Sequence, residues 1–456
     1  MPLSKFESML KTNSIYFFDL AEFEEIIIHY LDTGKHSLAK KAVKFGLEQH
    51  PTSVDLRLLE VEILIFDNHL ELASKKILKI EQLVPNNEEV YIQKATILSK
   101  SGRHREAIQN LKIALMHTDD KQDIWSMMGM EYLYIDDFDS ARLSFSKCID
   151  NDYEDYSALY NVVYCFDMVD KHEEAIHFLN QYVDKNPYCE VAWHQLGRQY
   201  FTMEMYKEAL SCFDYAVLID ESFLGAYLEK AKIYEQLEDY ENAIKNYAIT
   251  LELDDPTAFA CLRVGKCYQQ LGKNDLATTY YKKAVHEDPL QDKGWILLAD
   301  LCYEEKNYNK ALYYVTKALK IDNDHSVYWR KYADINLELD LYQEAVKGFE
   351  TCLRLGDESL YNFIALSDLL LLLEHFNDAV DVLHKARKLH ENHAEIEYRL
   401  SGLFFILSKP THGTAHLALG MKIDYEYHAV IKELFPLVFQ RQDVQQLLEN
   451  FNTSIK

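Results

Sequence analysis

The 456-residue sequence predicts an all-α array of helical hairpins, and three observations carry that prediction. Alanine recurs every thirty-four residues, at Ala39, Ala73, Ala107, Ala141, Ala175, Ala209, Ala243, Ala277, Ala311, Ala345 and Ala379. Within one period, 190–223, Trp193, Leu196, Gly197 and Tyr200 form one apolar helical stripe, and Ala209, Phe213 and Ala216 form a second beyond a turn. Each period is therefore one antiparallel helix pair. Glycine and proline number only 14 and 8, which suits helices joined by short turns and leaves no sheet to expect.

All four tryptophans, Trp125, Trp193, Trp295 and Trp329, share one slot of the period, and Pro51, Pro85, Pro187 and Pro289 share another. Together with Leu-Gly, Tyr, Ala, Phe and Ala at their offsets, these residues give a chain that resembles the tetratricopeptide repeat over residues 20–393. The resemblance implies a right-handed superhelical solenoid of about twelve helix-turn-helix repeats, whose first helices line a concave groove. Small slots such as Gly129, Gly197 and Gly265 let helix backbones approach, while large slots fill the space beside them.

Residues 1–19 precede the register and predict a short capping helix, with Asp19 as N-cap of the next one. The eleven repeats of 20–393 open with Phe23, Ile26, Ile27 and Tyr30, followed by the Ala39 helix. Gly34, Gly102 and Gly272 recur just past the first helix, where a left-handed residue ends it without a Cβ clash; Asn68, Asp136, Asp170 and Asp340 take the same slot. Phe138, Tyr206, Tyr240, Tyr308, Tyr342 and Phe376 form another ladder, expected to plug the junction to the next unit. Residues 394–456 predict a degenerate twelfth repeat, in which Lys409-Pro410-Thr411-His412-Gly413 rewrites the turn. Capping helices follow, marked by Val430, Leu434, Val438, Val444, Leu447, Leu448 and Phe451.

The formal charge of −26 argues against a nucleic-acid partner, because phosphate binding needs a dense cationic surface. Most of the eight cysteines fall inside helices: Cys148 and Cys352 replace the last alanine of the pattern and Cys261 the tryptophan, so free buried thiols in a reducing cytoplasm are expected. The longest aliphatic block, Leu369 to Leu373, ends at Glu374 within a repeat helix and is too short to insert in a membrane. No phosphate loop, nucleotide fingerprint or nucleophile elbow occurs. His384, His390 and His393 lack a third ligand at helical spacing, and paired carboxylates such as Glu24-Glu25, Asp119-Asp120, Asp136-Asp137 and Asp254-Asp255 sit at turns or exposed faces where neither partner is desolvated. No enzyme, cofactor or metal is expected.

Binding is what remains. The resemblance places the off-pattern residues of the first helices in the groove, and one such file reads Glu62, Thr96, Met130, Tyr164, Arg198, Lys232, Lys266, Asp300, Asp334 and Asp368. One turn earlier stand Leu58, Ile92, Ser126, Tyr160, His194, Leu228, Leu262, Ile296, Arg330 and Ile364; either a partner or the array's own next turn covers this largely apolar file. Asn161 is flanked by Tyr160 and Tyr164, so the family's two-carboxylate clamp, which needs Lys and Asn at set slots, is absent. The sequence thus predicts a scaffold or adaptor for a peptide or protein, the alternative being a peptide- or ligand-responsive helical-repeat regulator. Basic Arg198, Lys232 and Lys266, followed by acidic Asp300, Asp334 and Asp368 above a floor of Leu228, Leu262 and Ile296, predict a dipolar amphipathic ligand. The basic residues could instead serve only to neutralise Glu229 and Glu235.

Overall fold

A computed structural model describes residues 2–12, 16–253 and 257–455. Asp254-Asp255 lies outside the described residues. Every regular element described is helical, and the period is kept to the residue. First helices begin at Leu20, Val54, Glu88, Gln122, Tyr156, Glu190, Leu224, Ala258, Asp292, Ser326, Leu360 and Ala394; second helices begin at His36, Leu70, His104, Phe138, His172, Tyr206, Tyr240, Asn274, Tyr308, Tyr342, Phe376 and Pro410. These are twelve hairpins, so the chain is an all-α solenoid of repeats.

Local chemistry sets the helix ends. Asp19, Ser53, Asn87, Asp155 and Thr257 share the slot before a first helix, and each side chain accepts a backbone N–H three residues on. Asp19 and Glu22 complete a reciprocal capping box. At the other end, Gly34, Gly102 and Gly272 adopt φ of 70–73° as expected, and the slot stays left-handed when filled by Asn68, Asp136, Asp170, Glu204, Glu238, Lys306, Asp340, Glu374 or Ser408. The twelfth turn is thus not rewritten. Ser408 keeps the left-handed position, Pro410 occupies a first helical turn where its missing N–H costs nothing, and buried Gly413 extends the alanine ladder by one more stride.

The recurring tryptophan and proline slots are one device. The indole N–H of Trp193 donates to the Pro187 carbonyl at 2.9 Å, that of Trp295 to Pro289 at 3.1 Å and that of Trp329 to Asn323 at 2.7 Å. Tyr91 and Arg57 reach Pro85 and Pro51 in the same way, at 2.8 and 2.5 Å. One side chain thus ties each of these five first helices to the turn that precedes it.

All eleven ladder alanines are fully buried. A Cβ added to Gly129 or Gly197 would fall 2.5 or 2.6 Å from the ring of Phe145 or Phe213, and Gly265 lies against Tyr281 in the same manner. Where the same slot holds Val61 or Val163, the ring is replaced by Ile77 or Leu179. The second-helix aromatic ladder is half-buried; Phe138, Tyr308, Tyr342 and Phe376 pack on core clusters as expected.

The chain divides into two compact units, Met1–Glu229 and Lys230–Lys456. In the first, the helix Pro2–Thr12 lays Phe6 and Met9 on Phe18, Phe23, Ile26 and Tyr30 and closes the open end of the core. In the second, Ile431, Phe435, Val438, Val444 and Leu448 cover the last hairpin. Buried charge there is paired: Arg399 binds Asp368 at 2.8 Å and Glu395 at 2.9 Å, and Glu397 takes Arg387 and His416, each at 2.6 Å.

All eight cysteines are buried and unbridged. Burial pushes the thiols of Cys148, Cys165 and Cys267 up to about 11, and those of Cys212 and Cys352 up to about 12.

Candidate partner-binding face

In the first unit the helix Tyr156–Asp167 is capped by Asp155 and buries Ala158, Leu159, Val162, Val163, Cys165 and Phe166. Those residues occupy the sides turned to neighbouring helices. The remaining file is Tyr156, Tyr160, Tyr164 and the C-cap Met168, exposed by 37, 44, 46 and 48%. Spaced four apart, they form one stripe on the helix surface. Asn161 beside them is half-buried. Burial first, then Cys189, Glu190 and Glu154, raises the Tyr156 hydroxyl above the ordinary tyrosine range, so carboxylates gather at this end of the stripe.

On the next first helix, Glu190–Thr202, His194 does not project freely. Its ring packs 5.6 Å from Phe213 and 5.2 Å from Phe223, and Gly225 leaves it room: a Cβ there would come within 3.2 Å of His194 Nε2. Arg198 is exposed and donates to Gln195 Oε1 at 3.3 Å. Leu228 is half-buried.

In the second unit, Lys232 is half-buried, while Leu262 and Ile296 belong to core clusters. Of the apolar floor expected of Leu228, Leu262 and Ile296, the last two are therefore packed rather than open. Lys266 is exposed and has no carboxylate partner among the described residues; partial desolvation, followed by the cations Arg263 and Lys293, holds its ammonium below the ordinary lysine range. Glu235 pairs instead with Arg263 and accepts the Cys267 thiol at 3.3 Å.

The expected acidic segment is answered from within the unit. Lys331 pairs with Asp300, and Arg399 grips Asp368 with two bonds of 2.8 Å. Tyr361 donates to Asp334 at 2.8 Å, and burial still leaves that carboxyl above the ordinary aspartate range. Sequence reasoning picked Tyr160 and Tyr164 and passed over Tyr156 and Met168, although their four-residue spacing was readable.

The three histidines considered for a metal separate: His390 meets the Glu358 carbonyl at 2.9 Å, His384 faces Phe404 and His416, and His393 faces Tyr427. No group of three metal-ligating side chains exists among the described residues, and none of the described helices is long and apolar enough to cross a membrane.

A helical-hairpin solenoid with a strict period, a ladder of buried small residues and aromatic side chains left on one first-helix face is an interaction scaffold by class. Sequence profiles of the tetratricopeptide repeat match residues 126–188 and 265–326, and a second such profile matches 224–254. These stretches of the chain are tetratricopeptide repeats by sequence. No curated protein matches it.

Similar solved structures include yeast Tom70 (14% identity, 90% of this chain and 98% of that chain, TM-score 0.36) and the anaphase-promoting-complex hetero-tetramer Cut9-Hcn1 (15% identity, 84% and 89%, TM-score 0.35). YrrB, described as a TPR protein with an unusual peptide-binding site, is 15% identical over 41% of this chain and 96% of its own, with TM-score 0.36.

Proposed function

We propose that this chain is a non-enzymatic scaffold that binds a peptide segment or partner protein along the exposed faces of its first helices. The observation that carries the reading is the uncovered stripe of Tyr156, Tyr160, Tyr164 and Met168, four large side chains in a row on one face of one helix. Arg198 in the same unit, an exposed cation in a chain of charge −26, supplies the polar part of recognition. The acidic half of the dipolar ligand site drops out of the proposal, since Asp300 and Asp368 already hold cations. The buried, high-pKa thiols suit a reducing compartment, and we place the protein in the cytoplasm.

The test is photo-crosslinking in the native cell from two positions, Tyr164 and Leu218, the latter exposed on the second helix Tyr206–Ile219. A partner segment captured from position 164 and lost with Arg198→Glu is the expected result. Capture from 218 alone moves the site to the second helices.

A further inference from the structure

We infer that the tyrosine stripe of the first unit takes an arginine-bearing segment, whose guanidinium groups stack on Tyr156, Tyr160 and Tyr164. The inference rests on the binding face proposed above and names its ligand chemistry. Other rings near this stripe already hold one of the chain's own cations: Lys147 lies 5.2 Å from the half-buried Trp125, Lys185 5.4 Å from the half-buried Tyr153, and Arg142 4.8 Å from the buried Phe166. The same pairing recurs further on, with Lys283 over Tyr280 at 4.8 Å and Lys317 over Tyr313 at 5.4 Å. Tyr156, Tyr160 and Tyr164 carry no cation and no ring partner among the described residues, although they are more than a third exposed. Three adjacent aromatic faces are thus left for a cation from outside.

Charge points the same way. Glu154 and Asp155 stand at the start of the stripe with Glu190 beside it, and Asp167 and Asp170 stand at its end, in a chain of charge −26. Arginine fits better than lysine, because its planar group stacks on a ring and still offers its edge N–H groups to carboxylates. Successive rings of the stripe lie about 6 Å apart along the helix axis at 1.5 Å rise per residue. An extended chain advances about 6.6 Å in two residues, so arginines at alternate positions match the rings. Arg198, in the Tyr164 slot one repeat on, bounds the site: cations stop before it and an acidic residue follows.

The probe is a dye-labelled peptide with arginine at three alternate positions separated by serine, compared with its citrulline counterpart, which keeps the plane and loses the charge. Binding to the full chain is read by fluorescence anisotropy at roughly 0.1 M salt, where exposed charges beyond about 10 Å are screened. The citrulline peptide is expected to bind at least about tenfold more weakly, and the double variant Tyr160→Leu/Tyr164→Leu at least about fivefold more weakly than wild type, the scale of two exposed cation–π contacts. Tyr160→Phe/Tyr164→Phe keeps the rings and should stay within about twofold, since a phenyl face also attracts cations. This probe lacks the acidic residue that would meet Arg198, so for the probe, unlike the native partner, Arg198→Glu should tighten binding by removing a like charge. The three rings are exposed, so these variants fold, and circular dichroism checks that they do. Absence of saturable binding, equal binding of the citrulline peptide, or wild-type affinity in the double leucine variant overturns the inference. If cross-links from position 164 persist in that case, the face stands and only its ligand chemistry is wrong; if position 164 captures nothing, the face itself fails.

Discussion

Lys306 holds φ at +59°, a conformation that side-chain-bearing residues adopt only at a cost of about 1–2 kcal/mol. It does so because the repeat turn imposes a left-handed residue there, whichever side chain occupies the slot. Lys306→Gly should therefore raise the unfolding free energy by about 0.5–1 kcal/mol, visible as a higher urea midpoint. Gly102→Ala should lower it by about 1 kcal/mol although nothing lies within 4 Å of the added methyl, so the loss would be conformational and not steric. The cysteines give a second residue-scale expectation. With all eight thiols buried and raised above the ordinary cysteine range by that burial, the native protein should react with a thiol reagent far more slowly at pH 8 than the urea-unfolded chain, which should titrate to eight thiols.

Within a hairpin, the controlling relation is between one small slot and one ring. Gly197→Ala would set a methyl 2.6 Å from Phe213, and the helices Glu190–Thr202 and Tyr206–Ile219 would have to separate. A loss of about 1–3 kcal/mol is expected. Phe213→Leu in the same molecule should recover part of it, since Val163 already sits opposite Leu179 in the preceding repeat. Failure of that rescue in a double-mutant cycle would count against the pairing of the two slots.

The eleventh hairpin carries a pH dependence. Burial first, then His416 and Arg387, holds His384 below its ordinary 6.5, against the pull of Asp381 and Glu397. On acidification through about pH 6.5 the unfolded chain takes up a proton that the folded chain resists, so stability falls as pH falls. His384→Leu should shrink the drop in melting temperature between pH 7.5 and 5.5.

Across the whole molecule, each hairpin packs on its sequence neighbours, and damage should begin where it is made. Ala209→Trp overfills a position with no exposed surface, and limited proteolysis should then cut first within 190–219. The helix Tyr308–Ile321 should stay protected at that stage. Simultaneous loss of protection along the chain would contradict nearest-neighbour behaviour.

The period was legible because each repeat solves the same packing problem with the same sizes: the strides that reach Ala39 and Ala379 also fix where every helix begins. The twelfth repeat was readable too, through Gly413 and Ser408, once size rather than residue identity is followed. Charge on the proposed binding face was not. A sequence shows that Asp300, Asp334 and Asp368 share a slot, but not that Lys331, Tyr361 and Arg399, about one repeat further along, turn back to meet them. It shows that Leu262 and Tyr160 share a slot, but not that one is covered and the other open. Size patterns repeat because backbone spacing repeats, so the sequence by itself determined the fold. Which polar and aromatic groups stay uncovered depends on side chains contributed by adjacent helices, and that only the tertiary structure decided.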